Sequence, residues 1–192
     1  MAEVKTILGA EHNPIRVVTL TKEGNQLLRQ GGILESRQRT YHELKKPKEA
    51  AHDADLCRLY QKVTDEIESQ GGRVVAVRLD YELKDELYSR IARASKSRQE
   101  SPQSIREEMA QRYHLKVVDG KIPIPDLRVE YVNESDMQIQ HRDLELATAH
   151  CRPRGLSEKA RAGFQVYARP EDTSRLRRVP DHEELMTTIF RM

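Results

Sequence analysis

Cysteine is nearly absent from this chain. Its two cysteines, Cys57 and Cys151, lie far apart and form no CxxC pair. That excludes a disulfide framework and a cysteine-based zinc module, and it suits ordinary thiols in a reducing compartment. Long apolar runs are also missing. Nothing approaches the ~20 residues a membrane-spanning helix needs, so no membrane partner is expected. The opening MAEVKTILGAEHN has neither the basic start nor the apolar centre of a signal peptide, and a cytoplasmic location is the expectation. An excess of charge of one sign is lacking as well. Thirty-three basic side chains face 31 acidic ones, a net charge of +2, so any basic surface has to be local. There is no Gly-rich phosphate loop and no GxSxG nucleophile motif.

What is present is charge in quantity and clear periodicity. Charged residues make up 33% of the chain and hydrophobic ones 37%. The apolar residues cluster, which argues against disorder throughout. IRVVTL (15–20) reads as a strand, and Thr21 reads as the N-cap of a helix over KEGNQLLRQ with Gly31-Gly32 as its stop. Gly24 costs that helix up to ~1 kcal/mol relative to alanine. Residues 33–48 read as a basic connection. Leu56, Leu59, Tyr60, Val63 and Ile67 mark a helix from about Ala50 to Ser69, ended by Gly71-Gly72. RVVAVRL (73–79) is a strand of β-branched residues, and a helix begins at Asp80 or Tyr81. KSRQESPQS (96–104) is the expected loop, followed by a short helix over 105–112 and a turn at Asp119-Gly120. Strands at PDLRVEY and MQIQHRDLELAT flank the NESD turn (133–136) and predict a hairpin. SEKARAGFQVYA (157–168) reads as a helix capped by Ser157, RLRRVPD (175–181) as a strand, and DHEELMTTIFRM as a closing helix. The order predicts an α/β or α+β fold with a mixed central sheet flanked by helices.

The hairpin carries an anomaly. Asp126 stands just behind Pro125 in an apolar, β-prone run, and Asp143 and Glu145 sit in the next strand. Side chains alternate along a strand, so Asp143 and Glu145 share a face with His141 and Ala147, while Leu144 and Leu146 take the other. Asp126 shares a face with Arg128. Paired strands lie ~4.8 Å apart, so acids brought together at one end of the sheet can be bridged by one cation; unneutralised, they raise one another's pKa. Asp126, Asp143 and Glu145 are therefore candidate ligands for Mg²⁺ or Mn²⁺, with phosphodiester hydrolysis as the matching chemistry. A cross-strand pair with arginine would also account for these acids. Nearby Arg152, Arg154 and Arg161 offer planar forks suited to phosphate, or else pair with acids such as Glu158 on a solvated helix face. His141, His150 and Cys151 are too few for a soft-metal site beside so many carboxylates. The RQRTYHELKKPK stretch (37–48) reads as a charged strap or a backbone contact to nucleic acid.

The run PIPDLRVEY followed by HRDLELATAHCRPRGLSEKARAGFQVYA resembles the C-terminal domain of the plasmid replication-relaxation protein family, a divergent relative of the PD-(D/E)xK nucleases. The matching positions are Pro125-Asp126, Asp143-Leu144-Glu145, Thr148, Lys159 and Tyr167; Glu82 falls where an additional acid is often found. RVVTLTKEGNQLL (16–28) resembles the last strand and helix of a winged-helix DNA-binding module. The resemblance implies a truncated winged-helix-like segment with its connector over residues 1–48. It implies a restriction-endonuclease-like domain over residues 49–192. The implied catalytic set is Asp126, Asp143, Glu145 and Lys159, with DNA as partner. Position 147 holds alanine where the superfamily carries its strand lysine, which leaves Lys159, on the following helix, as the basic residue. Only about fifteen residues precede the wing-like strand, so a recognition helix is not expected. The implied function is nucleic-acid processing in plasmid or mobile-element replication or mobilisation, by a divalent-metal-dependent nuclease or nickase. The alternatives are a catalytically inactive DNA-binding or protein-interaction module on the same fold, and a homodimer formed through the apolar LMTTIF segment.

Overall fold

The computed structural model describes residues 1–8, 14–32, 40, 42–43, 49–97, 100–133, 137–148, 151–169, 172–173 and 189–191. The chain divides into two compact units, Met1–Arg58 and Leu59–Met192. It is a mixed α/β protein. Among the described residues no helix is long and apolar enough to cross a membrane.

In the first unit, β1 (Ala2–Leu8) and β2 (Pro14–Leu20) form an antiparallel two-stranded ribbon, followed by α1 (Lys22–Gln30). The Thr21 hydroxyl accepts from the Gly24 N–H at 3.0 Å, as a Ser/Thr N-cap should. Gly24 has a packing reason that its helix propensity hides. A Cβ there would stand 1.8 Å from the carbonyl oxygen of Met1, so the close approach of the chain start requires glycine. α2 (Ala50–Ser69) follows, its first residues counted with this unit and Leu59 onward with the second.

The second unit is built on a five-stranded sheet in the order β3-β4-β5-β6-β7. β3 (Gly72–Leu79), β4 (Leu127–Asn133) and β5 (Ile139–Ala147) pair antiparallel, β3 with β4 and β4 with β5. β6 (Gln165–Ala168) and β7 (Ile189–Arg191) continue the sheet in parallel. The β4–β5 hairpin pairs Leu127 with Leu144 and Arg128 with Asp143. On one face Leu127, Val129, Leu144 and Tyr167 pack against Leu59, Val63 and Ile67 of α2. On the other, Ala147, Val166 and Ala168 pack against Leu156 of α5 (Pro153–Ala162). A third cluster joins α3 (Asp80–Ser97) and α4 (Pro102–Arg112) to Ile122, Ile124 and Phe164.

Three sequence expectations need correction. The stretch 157–168 is not one helix. α5 begins at Pro153, a residue suited to a first helical turn, and ends at Gly163, whose φ of 95° is left-handed. The β-prone Gln165–Ala168 then enters the sheet, and Ser157 lies inside α5 rather than capping it. The loop over 96–104 is shorter than expected, because α3 runs to Ser97 and α4 starts at Pro102 under a Ser101 cap. At the chain end Ile189–Arg191 is strand, not helix. The ribbon strand β1 had no counterpart in the sequence reading. The expected strand 175–181 lies outside the described residues, as do most of the 33–48 connection and residues 134–136 of the hairpin turn.

Gly163 yields a stability prediction. Alanine at that φ is strained, so Gly163→Ala should lower the unfolding free energy by roughly 1 kcal/mol. Urea denaturation followed by far-UV circular dichroism checks it; an unchanged midpoint would refute the left-handed cap.

Candidate active site

The register of the hairpin decides which acids meet. Leu127 faces Leu144, so the next step along the ladder would set Asp126 against Glu145. Asp126 does not continue the strand. Its carboxylate Oδ2 accepts instead from the backbone N–H of Leu146 at 3.0 Å. Its carbonyl accepts from the Asp80 N–H at 3.2 Å, which ties it to the start of α3. These two bonds fix Asp126 from both ends, beside the C-terminal end of β5.

Glu145 is the most deeply set of the predicted acids, at 4% exposure. Lys159 reaches it from α5, with Nζ 2.5 Å from Glu145 Oε1 and 3.7 Å from Asp126 Oδ1. The other Glu145 oxygen, Oε2, is buried without a hydrogen-bond partner among the described residues. Burial, then repulsion from the Asp126 carboxylate, pushes the Glu145 carboxyl up to about 7, against the pull of Lys159. For Lys159, burial works to lower the pKa. The attraction of Glu145 and Asp126 outweighs it, and the ammonium sits above its ordinary value. The result is one cation held between two carboxylates, with a buried oxygen left over.

Asp143 shares the face of Glu145 but is engaged elsewhere. Arg128 grips it with both prongs, Nε to Oδ1 at 2.6 Å and Nη2 to Oδ2 at 2.8 Å. Both side chains are buried. Arg128 Nη1 and Nη2 also donate to the carbonyls of Tyr113 at 2.6 Å and His114 at 3.5 Å. The cross-strand arginine pair weighed from the sequence accounts for this acid. His141 lies above it, Nε2 3.8 Å from Asp143 Oδ2, with its ring 5.7 Å from that of His114. Burial and then Arg128 hold the His141 pKa below its ordinary value.

The structure therefore brings Asp126, Glu145 and Lys159 together and leaves Asp143 outside. Among the described residues no group of three acids, histidines or cysteines converges as a metal site. Asp126 and Glu145 form a pair, and that number suits Mg²⁺, which takes one or two carboxylates and keeps water for the remaining positions. The orphaned Glu145 oxygen and the hard oxygen character of both donors fit such an ion.

The candidate phosphate-binding arginines lie on α5 or at its cap. Arg152 is exposed at the helix start. Arg154 donates to Glu158 at 3.1 Å, and Arg161 grips Asp119 at 2.7 and 3.2 Å. The hydrogen bond from Arg161 holds the Asp119 carboxyl below the usual carboxylate range. Asp119 occupies the turn expected at Asp119-Gly120, where both residues have positive φ. Of the remaining motif positions, Tyr167 belongs to the core on the α2 face, and Thr148 contacts Cys151 Sγ through its N–H at 3.3 Å. Glu82 accepts from the Leu79 N–H at 3.0 Å. The sequence reading missed the Leu146 N–H, since no side chain announces a backbone donor, and it missed His114 as a neighbour of His141.

No family model, curated protein or solved structure matches the chain.

Proposed function

We propose that the second unit is a restriction-endonuclease-like domain that hydrolyses DNA phosphodiester bonds with a divalent cation. The single observation that carries this reading is the Asp126–Glu145–Lys159 cluster with its unpartnered buried Glu145 oxygen. One carboxylate from the residue just before β4, one from β5 and one lysine match the PD-(D/E)xK layout that the sequence resembles, with the lysine on the following helix in place of Ala147. Asp126 and Glu145 would hold Mg²⁺ or Mn²⁺. Such an ion polarises a phosphodiester and lowers the pKa of its bound water. Lys159 neutralises the paired acids in their resting arrangement and supplies positive charge for a phosphate. Arg152, Arg154 and Arg161 would guide the DNA backbone, Arg154 and Arg161 by exchanging their carboxylate partners for phosphate. In the same reading the β1–β2 ribbon and α1 are a winged-helix-like element, and the protein serves plasmid or mobile-element replication or mobilisation in the cytoplasm.

The test is cleavage of supercoiled, linear and single-stranded DNA by purified protein in Mg²⁺ or Mn²⁺. Nicking or cutting is expected, and Asp126→Ala should reduce it to background. No cleavage of any of these substrates, together with a melting temperature indifferent to metal, would overturn the proposal. One observation favours a second reading, a catalytically inactive DNA-binding module. The 2.5 Å Lys159–Glu145 pair neutralises the site without any ion. DNA binding that weakens steeply with salt and needs no metal would select it.

A further inference from the structure

The ribbon of the first unit leaves a strand edge open. β1 pairs with β2 along its whole length, and among the described residues it pairs with no other strand. An isolated two-stranded ribbon is marginal in water, and an open edge presents unpaired backbone groups to any strand that fits. Val4 and Val18 face each other across the ribbon and are 54% and 69% exposed. Most proteins would blunt such an edge with charge. Here Glu3 and Lys5 flank Val4, joined by a 2.8 Å ion pair along the same face of the strand.

That arrangement is self-complementary. When two copies of β1 lie antiparallel with Val4 opposite Val4, each Glu3 falls opposite the partner's Lys5 on both sides of the two-fold axis. Shifting the axis to residue 3 sets Glu3 against Glu3, and shifting it to residue 5 sets Lys5 against Lys5. Like charges directly opposite are unfavourable, so the charges select one register. In that register the two Val4–Val18 pairs become one row across four strands, which covers exposed apolar surface. Neither β2 nor β3 offers this property at its free edge among the described residues. β2 carries one charge, Arg16, and starts with a proline, which removes a donor. β3 is interrupted by a bulge between Val74 and Ala76, and pairing about its midpoint would oppose Arg73 to Arg78.

We propose that β1 is a homodimerisation edge, which joins two copies of this chain into a four-stranded antiparallel sheet through reciprocal Glu3–Lys5 pairs. The interface is isologous, as a two-fold dimer requires. A seven-residue strand buries less than a standard interface, so the dissociation constant should lie in roughly the micromolar range.

Sedimentation of the full chain over a range of concentrations tests this. The wild type should dimerise. Glu3→Lys and Lys5→Glu should each weaken the dimer by about tenfold or more, since each opposes like charges twice. An equimolar mixture of those two variants should recover it, because lysines at 3 and 5 then meet glutamates at 3 and 5. The double variant Glu3→Lys/Lys5→Glu should recover it alone, which separates lost association from lost folding. A chain monomeric at roughly 100 µM, or a dimer indifferent to both single reversals, would overturn the proposal. So would failure of the mixture and the double variant to recover association.

Discussion

Asp143→Ala is expected to lower the unfolding free energy by about 3–5 kcal/mol, a large fraction of the stability of a protein this size. The loss comes from what remains. Arg128 is 4% exposed, and without Asp143 its guanidinium is a buried charge with only two carbonyls to receive its hydrogens. Removing one partner of such a pair costs far more than removing both. Arg128→Met/Asp143→Leu, of similar volume and apolar, should therefore recover most of the loss. Urea denaturation in the presence of a chelator measures both. The chelator matters because a metal ligand would reveal itself through metal-dependent stability, whereas the loss expected here is indifferent to metal. A decrease below about 1 kcal/mol would contradict the buried pair.

The second large effect is a dependence of stability on pH carried by Glu145. Its folded pKa of about 7 lies above the ordinary 4.5, with burial as the leading cause and the Asp126 charge next. A carboxyl raised in this way favours the folded state when protonated. Its contribution is complete below pH 4.5 and is lost as pH rises through 7. Over that window the change is on the order of 3 kcal/mol, one pKa unit being worth about 1.4. His141 has the opposite sign. Its lowered pKa adds stability above pH 6.5 that is lost in acid. The informative quantity is therefore the wild-type unfolding free energy minus that of Glu145→Gln, measured from about pH 4.5 to 8, because His141 is common to both. That difference should fall as pH rises. A flat difference would mean that Glu145 stays ionised throughout.

The hairpin was readable in advance because alternation and the turn residues agree, and its register brings Asp126 to the level of Glu145. Spacing could not separate Asp143 from Glu145. Both occupy the same face two residues apart, and the difference between them is the partner opposite: Arg128 faces Asp143, while Glu145 lies beyond the last paired rung. Lys159 entered through resemblance alone, since no periodicity marks which helix residue turns toward a strand. The strand after α5 was hidden because Ala160, Phe164 and Tyr167 keep a helical spacing straight across Gly163, which is where the helix stops. β1 was legible in principle, since Ala-Glu-Val-Lys alternates, but so short a run gives a weak signal.

The bond from Leu146 to Asp126 has a mechanical meaning. A side chain there does the work that a carbonyl does elsewhere in the sheet, so the rung at Leu146 and the carboxylate cluster share one group. Anything that draws the Asp126 carboxylate toward itself must unfasten that rung or share it. Engaging the Asp126 carboxylate and loosening the tip of the strand are thus two descriptions of one equilibrium.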